Sequence, residues 1–238
     1  MTARRALVAA VVVVEVVRHL VPYGDRILYP LTLFTTWVHE LGHGLTALAA
    51  GGHFAKLEIF ADASGEASAY AQGRWGSAAV FAGGLLAPTL LGALILAFAH
   101  GPARARAVLL GLAAALAASA AIWVRSPVGL VAVPALAALL GWCGWRGLGP
   151  EGPVFLVQLL AVILALDTVE RMIPYVFSAG HEARGSYHKS DVFMIAERLG
   201  GHYFVWGALL TLIACALLAL GLWRAWGANR PATSKHPI

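Results

Sequence analysis

TTWVHELGHGLTAL, residues 35–48, places a glutamate and two histidines in a run that is otherwise apolar enough to cross a membrane. Ionisable side chains are costly inside a membrane segment, so they indicate a functional site. His39 and His43 are four positions apart, which on a helix puts both imidazoles on one face. The stretch therefore predicts a membrane helix that carries a polar cluster.

The composition of the whole chain is that of a polytopic membrane protein. Of its 238 residues, 60% are hydrophobic and only 12% are charged, and the mean hydropathy is +0.76. This balance is far from that of soluble domains. The net charge is +5, but Lys and Arg are scattered between apolar runs, as in loops at a lipid surface. Without a basic stripe, nucleic acid is not an expected partner, and the lipid bilayer is.

Seven apolar runs are long enough for a helix to cross the hydrocarbon core, which takes about 20 residues. They cover residues 6–22, 27–50, 76–99, 104–123, 128–145, 153–173 and 203–226. The run at 128–145 is short and contains Pro134, so the sequence predicts six to seven transmembrane helices. All of them belong to one membrane-embedded domain, residues 1–238. Lys and Arg are divided almost equally between the two sides, so the positive-inside rule does not set the orientation.

Two polar segments interrupt the apolar runs. Residues 53–75, HFAKLEIFADASGEASAYAQGRW, alternate partially around Ser64-Gly65, which predicts a short β-hairpin at the membrane surface. Residues 174–202 are the longest polar segment and predict a short interfacial helix at 190–199. The predicted fold class is thus an all-α polytopic membrane protein with a small hairpin after the second helix.

The string HELGH, residues 39–43, is an HExxH motif. On a helix, His39 and His43 can both reach one tetrahedral Zn²⁺, and Glu40 stands beside them as a general base for a metal-bound water. A catalytic zinc lowers the pKa of that water toward about 7, as amide hydrolysis at neutral pH requires. The alternative is that the three side chains only hydrogen-bond neighbouring helices.

HELGHGLTALAAGG (39–52), the hairpin with Ser64-Gly65, and AGGLLAP (82–88) together resemble the site-2 protease superfamily of intramembrane zinc metallopeptidases. The closest likeness is to its bacterial "peptidase-like" branch, in which a Ser-Asp pair precedes the last span, as Ser190-Asp191 does here. The resemblance implies a multi-pass protein of the bacterial plasma membrane. It also implies Zn²⁺ as cofactor and a membrane protein or peptide as substrate.

The third zinc ligand is left open between two aspartates. Typical site-2 proteases supply it from a Leu-Asp-Gly string, whereas this chain has Leu166-Asp167 without the glycine. If the spans alternate, the loops after the second and sixth spans emerge on one side, so Asp191 can approach His43. The other role for Asp191 is a helix cap, and the other role for Asp167 is an ion pair with Arg171. Asp25 and Asp62 are expected in solvated turns.

Two features beside the motif have both a structural and a functional interpretation. Gly83 and Gly84 let helices approach closely, and they could also wall a metal cavity. The hairpin could cover the surface, or it could offer a strand edge to an extended substrate.

The primary prediction is a zinc metalloendopeptidase in which Glu40 takes a proton from the water and returns it to the leaving amine. The alternative is a non-proteolytic scaffold or regulatory protein that retains a metal-binding or relic site. A proton-relay transporter is a third class, but no paired half-sequences support it.

Overall fold

The computed structural model describes residues 2–146, 149, 151–176, 178–183 and 186–227. Long helices form most of it, and two β-hairpins interrupt them. In chain order the elements are α1 (Ala3–Leu20), α2 (Gly24–Ala49), β1 (His53–Ile59), β2 (Gly65–Tyr70), α3 (Gly73–Phe98), α4 (Pro102–Ile122), α5 (Pro127–Trp145), α6 (Gly152–Val176), β3 (Gly180–Ala183), β4 (Ser186–Lys189), α7 (Asp191–Leu199) and α8 (Tyr203–Gly227).

Each of the seven predicted apolar runs forms one long helix, with ends within three residues of the predicted ones. Pro102 and Pro127 occupy the first turns of α4 and α5, where the missing N–H costs no intrahelical hydrogen bond. Ser126 caps α5 by accepting a hydrogen bond from the backbone N–H of Gly129. Pro134 does not end α5, so the short run at 128–145 is one continuous helix.

Among the described residues, five helices are long and apolar enough to cross a membrane: α3, α4, α5, α6 and α8. The chain is therefore a multi-pass membrane protein. α1 carries four charged residues in 18, and α2 carries the polar motif, so both have a lower hydropathy than the five. The count of six to seven spans stays a prediction.

The directions of α6 and α8 follow from their contacts with α3. Thr89 and Thr168 share a hydrogen bond of 2.8 Å, and the amide nitrogen of Gln158 lies 3.5 Å from the carbonyl oxygen of Ala99. α6 therefore runs antiparallel to α3. α8 packs along α3 in the parallel direction, because the last turns of both helices line one cavity.

α1 does not follow the alternation that seven successive spans would require. In its first turn, the guanidinium of Arg4 donates a hydrogen bond to the carbonyl of Trp226, close to the end of α8. In its last turn, Arg18 forms an ion pair with Glu170 in the second half of α6. α1 thus runs in the same direction as α6, whereas the first and sixth of seven alternating spans would be antiparallel.

α2 and α3 cross at very short range. A Cβ added to Gly42 would lie 2.5 Å from the Cβ of Ala87 and 2.6 Å from the carbonyl oxygen of Gly83. A Cβ added to Gly83 would lie 2.0 Å from Oγ1 of Thr46. Glycine is therefore required on both helices, which agrees with the close approach that the small residues predict.

The first hairpin, β1 with β2, is antiparallel as predicted, and it lies along α2; its place at the membrane surface stays a prediction. Its turn contacts the first half of that helix: the hydroxyl of Tyr29 donates to the carbonyl of Ala61 (2.9 Å), and the hydroxyl of Thr36 donates to the carbonyl of Ala63 (2.8 Å). At 1.5 Å per residue, these contacts are about 20 to 30 Å from the end of α2 at Ala49. The hairpin thus folds back along α2, and hydroxyl donors of that helix hold the carbonyls of its turn.

The outer edge of β1 is paired with the connection between α4 and α5. The backbone N–H of Leu57 donates to the carbonyl of Trp123 (2.8 Å), and the N–H of Arg125 donates to the carbonyl of Leu57 (3.0 Å). The hydroxyl of Ser126 extends this pairing, because it accepts from the N–H of Ile59 and donates to its carbonyl, both at 2.8 Å. Residues 123–126 thus close this edge of the sheet.

The second hairpin, β3 with β4, is absent from the sequence prediction. Its register pairs Gly180 with Lys189 and Ala183 with Ser186, so each strand has four residues. A strand of this length is too short to show alternation in the sequence. α7 follows at once, and its bounds agree with the predicted interfacial helix.

We expect Ser126→Ala to lower the free energy of unfolding by about 1 to 3 kcal/mol, because it leaves the N–H and carbonyl of Ile59 buried without their hydroxyl partner. Thermal unfolding in detergent measures the change. Ser68→Ala on β2 is the control, with an expected effect within about 0.5 kcal/mol. Equal effects of the two substitutions would contradict the role of the 123–126 connection.

Candidate metal centre

The HELGH motif forms one buried turn of α2. His39, Glu40 and His43 are 6%, 6% and 8% exposed. The two imidazole rings are nearly perpendicular, and their Nε2 atoms are 3.1 Å apart. The i,i+4 spacing thus brings two potential ligand atoms to one point, as the sequence predicts for this face of the helix.

Asp191 reaches the same point from the other end of the sequence. Its Oδ2 lies 3.4 Å from Nε2 of His39 and 3.6 Å from Nε2 of His43. Among the described residues, these three form the group of His, Cys, Asp and Glu side chains that could hold a metal ion. Asp191 is the first residue of α7, where the helix dipole favours the ionised carboxylate.

The spacing of the three atoms suits a tetrahedral cation. Zinc bonds of about 2.0 to 2.1 Å at tetrahedral angles separate neighbouring ligand atoms by about 3.3 Å. The three observed separations, from 3.1 to 3.6 Å, bracket that value. The donor set of two imidazoles and one carboxylate is also one that zinc accepts in catalytic sites.

The tautomer of His43 also suits a metal. Nδ1 of His43 lies 2.8 Å from the carbonyl oxygen of Val80, so Nδ1 must carry the proton that it donates. Nε2 is then the ring nitrogen that remains to bind a metal, and it faces the carboxylate of Asp191.

Ser190 fixes the position of Asp191. It is only 1% exposed, and its hydroxyl accepts from the N–H of Phe193 and donates to the carbonyl of Ser178 (3.0 Å). Its own N–H donates to the carbonyl of Ala179 (2.9 Å). Ser190 therefore takes the capping role that the sequence left open for Asp191, and it ties the start of α7 to the segment before β3.

The first hairpin brings its backbone against Glu40. A Cβ added to Gly65, the first residue of β2, would lie 2.6 Å from Oε1 of Glu40 and 2.7 Å from Cγ2 of Thr36. The turn itself lies at residues 60–64, with Ala63 in the left-handed region (φ 62°), so Gly65 begins the strand and is not its central turn residue. The strand start is thus within contact distance of the glutamate that the motif assigns to proton transfer.

The other candidate residues lie elsewhere. Asp167 accepts a hydrogen bond from the hydroxyl of Thr35 (3.0 Å) and is not part of the three-residue group. The side chain of Arg171 is outside the described residues, so its pairing with Asp167 stays a prediction. Asp25 and Asp62 line a separate cavity of about 400 Å³, and Asp62 accepts hydrogen bonds from Ser64 as a turn residue.

Two residues that support the site have no signal in the sequence analysis. Val80 contributes only its backbone carbonyl. Because every residue type has this group, the sequence cannot identify Val80. Gly65 is marked there only as part of a turn. Gly84, in contrast, is marked as a small residue, and a Cβ on it would lie 2.2 Å from both Cε1 and Nε2 of His43.

Comparison with known proteins gives one match. The family described as Peptidase M50B-like matches residues 5–221, which is most of the 238-residue chain. No curated protein and no solved structure matches.

We expect Gly84→Ala to weaken binding of Zn²⁺ by about 10- to 100-fold, because the added methyl group displaces the imidazole of His43. Competition with a chromophoric chelator in detergent measures the affinity. The control is Gly111→Ala in α4, where a Cβ meets nothing within 4 Å and the affinity should not change. An unchanged affinity in folded Gly84→Ala would contradict the placement of His43.

Proposed function

The chain belongs to the Peptidase M50B-like family of site-2 proteases, and on that premise we propose that it is an intramembrane zinc metalloprotease that hydrolyses peptide bonds of membrane-associated substrates. One observation carries the proposal: Nε2 of His39, Nε2 of His43 and Oδ2 of Asp191 are held 3.1 to 3.6 Å apart, at the buried turn of α2 that also carries Glu40.

In this proposal, His39, His43 and Asp191 hold the ion. Three protein ligands leave the fourth position of a tetrahedral ion for water or substrate, which distinguishes catalytic from structural zinc. When bound, zinc would supply Lewis acidity at the substrate carbonyl and lower the pKa of its water ligand. Val80 and Ser190 orient the ligands through His43 and Asp191.

Glu40 moves the protons. As the residue after His39, its carboxylate stands beside the ligand cluster, and at 6% exposure it is largely shielded from bulk water. It accepts a proton from the attacking water and donates it to the nitrogen of the leaving amine. The nitrogen therefore does not have to leave as an amide anion when the peptide bond breaks. Because Glu40 is shielded, the proton is transferred along this pathway and is not lost to solvent.

The substrate lies along β2. The outer edge of β1 is closed by residues 123–126, whereas β2 has no second strand partner in the described part of the chain. β2 begins at Gly65, against the carboxylate of Glu40. An extended peptide that adds to this edge would pass the proton-transfer group, and main-chain hydrogen bonds would hold it without regard to its side chains. Opening a membrane helix into such a strand fits hydrolysis within or beside the bilayer.

Two isosteric substitutions test which aspartate is the third zinc ligand. Asp191→Asn removes the anionic ligand, and we expect zinc affinity to fall by more than the roughly 10- to 100-fold typical of changes outside the ligand set. Asp167→Asn keeps an acceptor for Thr35 and should leave the affinity unchanged. Zinc per purified chain, compared between the two variants, gives the answer. Loss of zinc in Asp167→Asn alone would identify Asp167 as the third ligand instead.

We expect Glu40→Gln to retain about one zinc per chain and to lose roughly 10²- to 10⁴-fold in cleavage rate, because general acid–base catalysis contributes about that factor. Cleavage of transmembrane peptides in liposomes, followed by mass spectrometry, is the assay. Glu15→Gln, at an exposed site in α1, is the matched control. Retained cleavage by Glu40→Gln would refute the mechanism, and zinc without cleavage in the wild type would favour a scaffold.

A further inference from the structure

A second cavity lies at the other end of α3 from the hairpin. It has a volume of about 460 Å³, and the end of α3, the start of α4 and the last turns of α8 form it. From Gly84, beside the metal ligands, to Phe98, in the cavity wall, α3 advances about 21 Å. The cavity is therefore separate from the candidate metal centre. Its polar and aromatic lining residues are Phe98, His100, Arg104, Trp223 and Arg224.

The lining is positively charged. Arg104 and Arg224 come from helices far apart in sequence, and none of the described lining residues carries a carboxylate. Arg4 does not line the cavity, but it places a third guanidinium on the same last turns of α8, where it donates to the carbonyl of Trp226. Uncompensated guanidinium groups around a concavity attract an anion, and their planar forks match the oxygens of a phosphate.

Two buried nitrogens at this end have no hydrogen-bond partner among the described residues: Nε of Arg4 and Nδ1 of His100. The other ring nitrogen of His100 lies 2.6 Å from the carbonyl oxygen of Ala97, so that Nε2 is the donor there. Buried polar atoms are nearly always satisfied in folded proteins, and exceptions often mark a water or ion that is bound there. The Nε–H of Arg4 can donate to an anion, whereas Nδ1 of a neutral His100 is an acceptor that a water in the hydration shell of that anion can satisfy.

The position of the cavity selects the kind of anion. α3, α4 and α8 are all candidate membrane spans, and the cavity lies where they end, at the level of lipid headgroups. Phe98 and Trp223 are 56% and 68% exposed, as in the aromatic belt of a membrane interface. We propose that this cavity binds the phosphate of an anionic phospholipid. The lipid would link the end of α8 to the start of α4.

The test measures lipid binding by native mass spectrometry of the full chain in neutral detergent, with phosphatidylglycerol, phosphatidylcholine and inorganic phosphate as probes. We expect one phosphatidylglycerol to bind preferentially, with phosphatidylcholine and free phosphate binding at least about tenfold more weakly. Arg104→Gln and Arg224→Gln should each weaken binding of phosphatidylglycerol by about tenfold, because each removes a charged hydrogen-bond donor. Zinc content and lipid-free melting should be unchanged in both.

The matched control is Arg146→Gln. Arg146 lies beside Trp145 at the end of α5 with its guanidinium carbon 5.8 Å from the ring, the same separation as between Arg224 and Trp223, but it does not line the cavity. Its loss should leave binding unchanged. An equal effect of Arg146→Gln would overturn the proposal in favour of a diffuse surface charge. Equal binding of inorganic phosphate would replace the lipid with a soluble ligand, and no preference for phosphatidylglycerol would exclude the site.

Discussion

The burial of Glu40 and two histidines in the centre of an apolar helix bundle is the constraint on which the rest of the structure depends. Charged or lone-pair groups without partners are expensive in such a place, so each neighbour of α2 has to meet them. In α3, Gly84 has no side chain and so leaves room for the imidazole of His43. The carbonyl of Val80, also in α3, fixes the tautomer of that imidazole. α7 places the carboxylate of Asp191 within 3.4 to 3.6 Å of both imidazoles.

The first hairpin is likewise held by hydrogen bonds to its neighbours. Hydroxyls of α2 satisfy the carbonyls of its turn, and the hydroxyl of Ser126 satisfies one residue at the other edge. A β-sheet of two strands can remain beside membrane helices only when its edges find such partners. The outer edge of β2 has no strand partner in the described part of the chain, and β2 begins against Glu40.

The sequence predicts what is local. Apolar runs of about 20 residues and their flanking prolines define the helices, and HELGH marks two candidate ligands, because both depend on spacing along one element. The match to the Peptidase M50B-like family confirms the resemblance drawn from these strings.

What the sequence could not decide depends on contacts between distant segments. Asp191 and Asp167 differ only in where α7 and α6 place them, and the direction of α1 depends on Arg4 and Arg18 meeting α8 and α6. The path of the first hairpin likewise depends on hydroxyls of α2 and not on its own alternation.

The distribution of the cluster along the chain has a consequence for biosynthesis. His39 and His43 leave the ribosome early, whereas Asp191 is 148 residues beyond His43, and the segment that anchors Ser190 immediately precedes it. At about 5 to 20 residues per second, the two halves of the cluster are made roughly 7 to 30 seconds apart. During this interval α3 to α6, four of the candidate membrane spans, are made while the cluster is incomplete. The nascent chain therefore cannot bring all three groups together until nearly every helix has been made.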